Sequence, residues 1–439
     1  MARLDQTPFE VEINDLAHDG RGAGRLESGK TVFVWGALAG ERVLAKRTRR
    51  ARDFDQAVTL QVLRPSPDRV EPRCPHYGGC GGCVLQHLDA GKQIAAKQET
   101  LLALLREAGG LVPEQVLPPL VDSAWGYRRK GRLSVRWVAK KGRTLVGFRE
   151  PDPRFVADLS ECHTVVPAIG SRIGALAELV DGLQAKAVVP QIEFIAGDDA
   201  VALVVRHLEP LEEGDREALV EFSKAHGLAI FLQPGGLDSV HALWPPEPPA
   251  LSLRLAPWDV ELGFQPMDFI QVNAGLNEKM IGRALELLEA GPADRVLDLF
   301  SGLGNFTLPL ARTVREVVGV EGDAGLVARA RENALRNGLQ NAQFHAADLT
   351  LDQRGAPWMG QGFDKLLLDP PRSGALEVLQ QLPLEQFRRI VYVSCNPASL
   401  ARDAEYLVSE RGWKLRSAGV MDMFPHTAHV ESIALFEPD

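Results

Sequence analysis

The sequence predicts a multi-domain chain. It has an N-terminal OB-like β-barrel, a central α+β domain with a cysteine-bearing loop, and a C-terminal α/β Rossmann-like domain. Three observations carry this. The chain has 439 residues, too many for one core and enough for about three domains at roughly 150 residues each. Short β-rich runs at close spacing occupy residues 9–63, and from about residue 262 strand and helix patterns alternate. The boundaries fall at 1–66, 67–261 and 262–439.

Composition narrows the function. No apolar run approaches the roughly 18 residues of a membrane span. Residues 1–10 carry acids and lack the apolar stretch of a signal peptide. The five cysteines are odd in number and three crowd together, which argues for a reducing, cytoplasmic setting and metal or catalytic use. A net charge of −9 does not advertise a nucleic-acid binder, so the distribution of charge matters more.

In the first domain, strands are expected at residues 9–13, 31–34, 42–45 and 58–62, with glycine-rich turns at 20–24 and at Gly36 and Gly40. Lys46, Arg47, Arg49, Arg50 and Arg52 gather on it, and small five-stranded barrels commonly bind oligonucleotides. A solvated hairpin face explains the same charges. Residues 64–67, Arg-Pro-Ser-Pro, read as a linker.

Cys74, Cys80 and Cys83 lie five and then two residues apart on a glycine-rich loop, with Cys162 as a remote fourth thiol. Four thiolates suit Zn²⁺ or an iron–sulfur cluster. The spacing is not the paired knuckle of most zinc sites, and a [4Fe-4S] cubane fits it better. Residues 93–108 carry a helical period. Residues 121–155 hold ten basic residues against three acids, with Trp125, Tyr127, Trp137 and Phe148 interleaved on a hairpin pattern. Cations and rings on a sheet suit a sugar–phosphate backbone and unstacked bases, and an ordinary amphipathic hairpin is the alternative. Residues 165–260 read as α+β without chemistry.

In the third domain a strand at 295–300 runs into Ser301-Gly302-Leu303-Gly304-Asn305 and a helix, the arrangement that brings a ligand to backbone and helix N-terminus. The second strand ends on Glu321, a ribose-hydroxyl acceptor, and the third leads to Asp348, placed for an adenine edge. An acidic floor without a phosphate clamp favours S-adenosylmethionine over NAD. Asp369-Pro370-Pro371-Arg372 ends the fourth strand as a rigid acceptor for a base or the sulfonium ligand. The fifth ends at Ser394-Cys395-Asn396-Pro397, and a final hairpin carries Glu431. One thiol, one carboxylate and one methyl donor suffice to methylate C5 of a uracil. Thiolate addition at C6 makes C5 nucleophilic, and a base then removes the C5 proton. The thiol needs activation by neighbours the sequence does not identify. The target base must be single-stranded or flipped out, and Phe269 is available to stack on it.

With these motifs, and Phe269-Ile270-Gln271-Val272-Asn273, the sequence resembles the RNA uracil-5-methyltransferase family over essentially its whole length. Carrying both the cysteine set and the N-terminal barrel, it is most similar to the form with a TRAM domain and an iron–sulfur cluster that acts on 23S rRNA. The resemblance implies an S-adenosylmethionine-dependent methyltransferase fold, with Gln271, Phe300, Asn305, Glu321, Asp348 and Asp369 contacting the methyl donor or target base. It assigns Cys395 as nucleophile, Glu431 as base, and Cys74, Cys80, Cys83 and Cys162 as cluster ligands. A monomer with no membrane partner is expected. Two other readings fit parts of the chain: an RNA cytosine-5-methyltransferase, and a non-catalytic RNA-binding ribosome-assembly factor with a structural cluster.

Overall fold

A computed structural model describes residues 5–439. The reading of residues 1–10 therefore lies partly outside the described residues. The chain divides into two compact units: Met1–Thr100 with Phe148–Ala157 and Phe424–His429, and Leu101–Gly147 with Asp158–Met423 and Val430–Asp439.

The first unit holds a closed barrel of β1 (Phe9–Leu16), β2 (Gly22–Arg25), β3 (Thr31–Trp35), β4 (Arg42–Arg50) and β5 (Phe54–Arg64), ordered β1-β2-β3-β5-β4. Alternation fills it: Val11, Ile13, Val32, Val34, Val43 and Ala57 point inward. The stretch expected to be only a glycine turn contains β2, which pairs with β1 and β3. A Cβ at Gly24 would lie 2.4 Å from the Glu12 carbonyl oxygen, and one at Gly22 2.7 Å from Ile13 Cγ2. Those glycines mark close strand approach. The basic cluster is partly neutralised, because Arg47 and Lys30 share the buried Asp55 at 2.6 and 2.7 Å. Arg49, Arg50 and Arg52 are exposed.

Helix α1 (Ala90–Glu107) follows the cysteine loop. The second unit begins in that helix and adds β6 (Gln115–Val116), β7 (Lys130–Val138), β8 (Arg143–Gly147), α2 (Pro167–Gly170), α3 (Ile173–Gly182), β9 (Gln191–Ala196) and β10 (Val201–Arg206). It continues through α4 (Glu213–His226), β11 (Ala229–Gln233), β12 (His241–Trp244), β13 (Leu251–Leu255) and β14 (Val260–Phe264). A six-stranded sheet runs β12-β11-β10-β9-β7-β8, and β13 and β14 form a hairpin. The basic stretch does lie largely on the β7–β8 hairpin, yet acids answer many of its charges. Arg129 meets Asp198 at 2.6 Å, Arg132 meets Glu193 at 3.0 Å, and Lys141 and Arg143 converge on Asp158.

The third set of elements is α5 (Ala274–Leu288), β15 (Arg295–Leu299), α6 (Thr307–Ala311), β16 (Glu316–Glu321), α7 (Ala324–Arg336), β17 (Ala342–Ala346), β18 (Lys365–Leu368), α8 (Leu376–Leu379), β19 (Arg389–Ser394), α9 (Pro397–Glu405), β20 (Trp413–Met421) and β21 (Glu431–Pro438). They build an eight-stranded sheet ordered β17-β16-β15-β18-β19-β21-β20-β6. Strands β15 to β19 are parallel, and β21 is antiparallel to both neighbours. The order turns back between β15 and β18, the switch point where ligands bind beyond the strand ends. Strand β6, from far upstream in the sequence, extends the far edge beside β20. A two-residue strand is too short to show a period, so no local pattern marks it.

Candidate active site

The cysteine of interest lies one residue beyond β19. That strand is buried throughout, Ile390 to Val393 packing in the core, as a central parallel strand must be. It stops because Asn396 caps α9, its side chain accepting from Ala398 N at 3.2 Å, with Pro397 opening the helix. The cap also donates from Nδ2 to the Arg372 carbonyl oxygen at 2.9 Å, tying the Pro-Pro-Arg loop to the residue after the thiol.

Glu431 enters through register. Ser394 is paired with Ser432 on the antiparallel β19–β21 ladder. The ladder ends there; its register continued by one residue sets Cys395 opposite Glu431, whose carboxylate acts on the thiol electrostatically and which is paired with Met421 on its other side. Directly opposed residues on such a ladder have Cα atoms about 5 Å apart. The sequence-predicted nucleophile and base are therefore neighbours across two strand ends.

Electrostatics here run against simple thiolate formation. Burial pushes the Cys395 thiol up to about 11, the Glu431 and Asp369 carboxylates add to the rise, and Arg372 opposes it. Neighbours were expected to activate this thiol. Burial and two acids outweigh the one guanidinium and do the reverse, and a cationic sulfonium beside them would shift the balance back. Asp369, just beyond the C-terminal end of β18, is itself pushed up to about 7 by burial.

The glycine loop supplies the second half of the site. Phe300 adopts φ +65°, and Gly302 and Gly304 adopt +54° and +91°. These left-handed positions turn the chain sharply between β15 and α6. Phe300 N and Ser301 N both donate to the Val320 carbonyl oxygen, at 2.8 and 3.1 Å. Glu321 accepts from Gly302 N at 3.1 Å and from Asp323 N at 3.0 Å, which brings the predicted ribose acceptor against the loop. Asn305 makes a reciprocal amide pair with Asn277 of α5, at 2.8 and 2.9 Å. Asp348 is exposed, its carboxylate accepting from Thr350 N and Oγ1, contacts that hold it below the usual carboxylate range. Gln271 is half-exposed and Phe269 is 67% exposed, on the two sides of the buried Ile270.

Three residues beside the site were given no role from the sequence. Asp298 is fully buried in β15; its Oδ2 accepts from Thr307 Oγ1 at 2.5 Å, while Oδ1 has no hydrogen-bond partner among the described residues. Burial pushes it up to about 7, with Asp369 and Glu321 adding to the rise. An acid inside an otherwise apolar strand was the available signal. Arg372 bears on Cys395 as described. Asp403 is buried under the site, accepting from Tyr392 OH at 2.6 Å, Ala375 N at 2.7 Å and Arg402 Nε at 2.8 Å.

The cysteine loop belongs to the first unit. Tyr77 N donates to the Cys74 carbonyl at 3.1 Å, Cys80 N to His76 at 3.0 Å, and Gly82 N to Cys80 Sγ at 3.3 Å. A Cβ at Gly81 would lie 2.9 Å from the Arg149 carbonyl oxygen, so glycine is required there. Tyr77 OH donates to the Val84 carbonyl at 2.8 Å and lies 2.5 Å from His87 Nδ1. In the second unit, Cys162 Sγ lies 3.2 Å from Thr164 Oγ1. All four thiols are half-buried and none is in a disulfide, a donor set whose chemistry suits a cluster. Among the described residues, no three His, Cys, Asp or Glu side chains are gathered tightly enough to hold a single metal ion.

The segment before Glu431 is held within the first unit. Val84 N and Leu85 N donate to the His426 carbonyl at 2.9 and 3.0 Å, and His426, at φ +66°, donates from its own N to Gln93 Oε1 at 3.0 Å.

Comparison with known proteins agrees with this architecture. A tRNA (Uracil-5-)-methyltransferase family profile matches residues 252–438 and a TRAM domain profile matches residues 7–51. The 23S rRNA (uracil(1939)-C(5))-methyltransferase RlmD of Xanthomonas campestris pv. campestris (strain 8004) is 69% identical over 437 residues, covering 99% of this chain and 98% of that protein. That of Stenotrophomonas maltophilia (strain K279a) is 67% identical over 438 residues, at the same coverage. Among solved structures, the Pyrococcus abyssi tRNA (uracil-54, C5)-methyltransferase in complex with S-adenosyl-L-homocysteine is 25% identical with a TM-score of 0.74, covering 97% of this chain and 99% of that one. The barrel, the methyltransferase sheet and these full-length similarities together show that the chain belongs to the 23S rRNA (uracil-C5)-methyltransferase family.

Proposed function

We propose that this protein transfers a methyl group from S-adenosylmethionine to C5 of one uridine in 23S rRNA, the uracil 1939 for which its relatives are named. What supports the chemistry is the register of β19 and β21, which continued by one residue sets Cys395 opposite Glu431, together with the electrostatic coupling of the two groups. The Cys395 sulfur adds to C6 of an unstacked uracil, and the electron pair moves to the C4 carbonyl as an enolate. C5 then attacks the sulfonium methyl, and S-adenosylhomocysteine leaves. Glu431 takes the C5 proton, the C5–C6 double bond re-forms and the thiolate departs. The loop from Phe300 to Asn305, with Gln271, Glu321 and Asp348, binds the methyl donor. Asp369, at the mouth of β18, fixes donor or base, and Phe269 stacks on the extruded uracil.

The reading includes three domains at 1–66, 67–261 and 262–439, with RNA held by the barrel and by the β7–β8 hairpin. It includes a [4Fe-4S] cluster on Cys74, Cys80, Cys83 and Cys162, structural in role, with no step of the reaction passing through it. Purified anaerobically, the protein should contain about four irons and four sulfides, which a Cys162→Ser variant loses. Iron at background in the parent protein would refute the cluster. A monomer in the cytoplasm fits reduced thiols and an rRNA substrate. Among the described residues, no helix is long and apolar enough to cross a membrane.

Mass spectrometry of 23S rRNA from cells with and without the gene tests the proposal. One 5-methyluridine should disappear from the deleted strain and return with the parent gene but not with Cys395→Ala. Unchanged 5-methyluridine, or loss of a 5-methylcytidine instead, would overturn it.

A further inference from the structure

We infer that Arg329 is a positioning residue for the target base, acting through Asp268 on the loop that presents Phe269; this rests on the reading that Phe269 stacks on the uracil. A largely exposed phenylalanine is a costly thing to hold still on an irregular segment. Yet residues 265–273 are fastened at several points. Asp268 N donates to the Gln265 carbonyl at 3.0 Å, and Gln265 N returns a bond to Asp268 Oδ2 at 2.7 Å. Lys130 Nζ donates to the Asp268 carbonyl, and Arg129 N donates to the Val272 carbonyl at 2.9 Å. Ile270, between Phe269 and Gln271, packs into a core with Phe264, Leu303 and Leu326.

The charged anchor is Arg329. Its Nη2 donates to Asp268 Oδ1 at 2.5 Å, and its Nε lies in ion-pair contact with Oδ2 without hydrogen-bond geometry, on a carboxylate that is 7% exposed. A planar guanidinium lying against both carboxylate oxygens restricts orientation as well as distance, which a lysine ammonium does less well. Arg329 stands on α7, the helix whose capping residue Asp323 receives the Glu321 carboxylate through its N–H. The capping residue of this helix therefore touches Glu321 at the end of β16, and Arg329, nearly two turns on, touches the base-presenting loop. Fixing Phe269 against α7 sets where a stacked uracil rests relative to the donor.

The test is a mutant cycle in the full-length protein. Phe269→Ala, Arg329→Met, Arg329→Lys and the double variant Phe269→Ala/Arg329→Met are assayed for KM toward an rRNA fragment, for kcat, and for S-adenosylhomocysteine affinity. Phe269→Ala should raise the RNA KM about tenfold, as loss of one stacked base does. Arg329→Met should come close to that, and Arg329→Lys should fall between it and the parent, with S-adenosylhomocysteine affinity within twofold throughout. The double variant should be no worse than Phe269→Ala alone, because residues acting through one another are non-additive. Additive losses, or weaker S-adenosylhomocysteine binding in both Arg329 variants, would overturn the inference while leaving the stacking reading intact. An unchanged KM and kcat in Phe269→Ala would remove the stacking reading, and the inference with it.

Discussion

Replacing Glu431 by Gln should make Cys395 more reactive, even though it removes the proposed base. In the folded protein burial pushes the thiol from an ordinary value of 9.0 up to about 11, with Glu431 and Asp369 contributing. That shift lowers the thiolate fraction at neutral pH about a hundredfold. The more basic thiolate regains nucleophilicity of roughly eightfold, for a Brønsted slope near 0.45. Cys395 should thus react about tenfold more slowly than a free thiol. Two unit charges about 5 Å apart interact by roughly 3 kcal/mol at an effective dielectric near 20. Solvent at the half-exposed thiol reduces this to about 1.4 kcal/mol, tenfold in thiolate and, after the same correction, about threefold in rate. The assay is alkylation by iodoacetamide at pH 7.5, followed on the Cys395 peptide by mass spectrometry so that the other thiols do not interfere. Parent Cys395 reacting at the free-thiol rate, or Glu431→Gln leaving the rate unchanged or slower, would refute the electrostatic reasoning.

Asp403→Ala strands Tyr392 OH and Ala375 N under the site. Breaking such a buried, charge-bearing network costs about 3 kcal/mol, so the melting temperature should fall by roughly 5–10 °C. An unchanged melting temperature would contradict the role given to Asp403. Methyl-donor binding should strengthen with pH. Asp298 is pushed up to about 7, chiefly by burial, and a cationic ligand binds its ionised form. One linked proton of this pKa makes affinity rise about tenfold from pH 6 to pH 8, and Asp298→Asn should flatten the calorimetric profile. By the same linkage, the raised pKa makes the native state bind a proton that the unfolded state has released. Asp298 therefore subtracts stability as pH rises from about 4 towards 7, the opposite of a salt-bridged aspartate.

What could be read in advance follows from how each feature is encoded. Strand runs such as residues 295–299 and 316–321, and the acids that end them, announce themselves through β-branched residues followed by glycine or proline. The pairing of Cys395 with Glu431 could be named but not placed, because register across strands distant in sequence has no local signal. Strand β2 was hidden because its two glycines serve backbone approach, and glycine reads as a turn. The basic stretch at 121–155 was legible as charge. Its partners, Asp198, Glu193 and Asp158, lie outside it in sequence and only the fold brings them together. The same is true of Arg329 and Asp268, whose ion pair spans 61 residues.

The most direct test of the central chemistry is to mix the Glu431→Gln variant with an rRNA fragment and S-adenosylmethionine, denature, and look for protein still joined to RNA. With the base absent, the methylated adduct should stall, giving a denaturant-stable complex whose RNA-bearing peptide contains Cys395, and none should form when Cys395 is also replaced by Ala. A variant that turns over normally, or an adduct on any other residue, would contradict the assignment of the two strand ends as nucleophile and base.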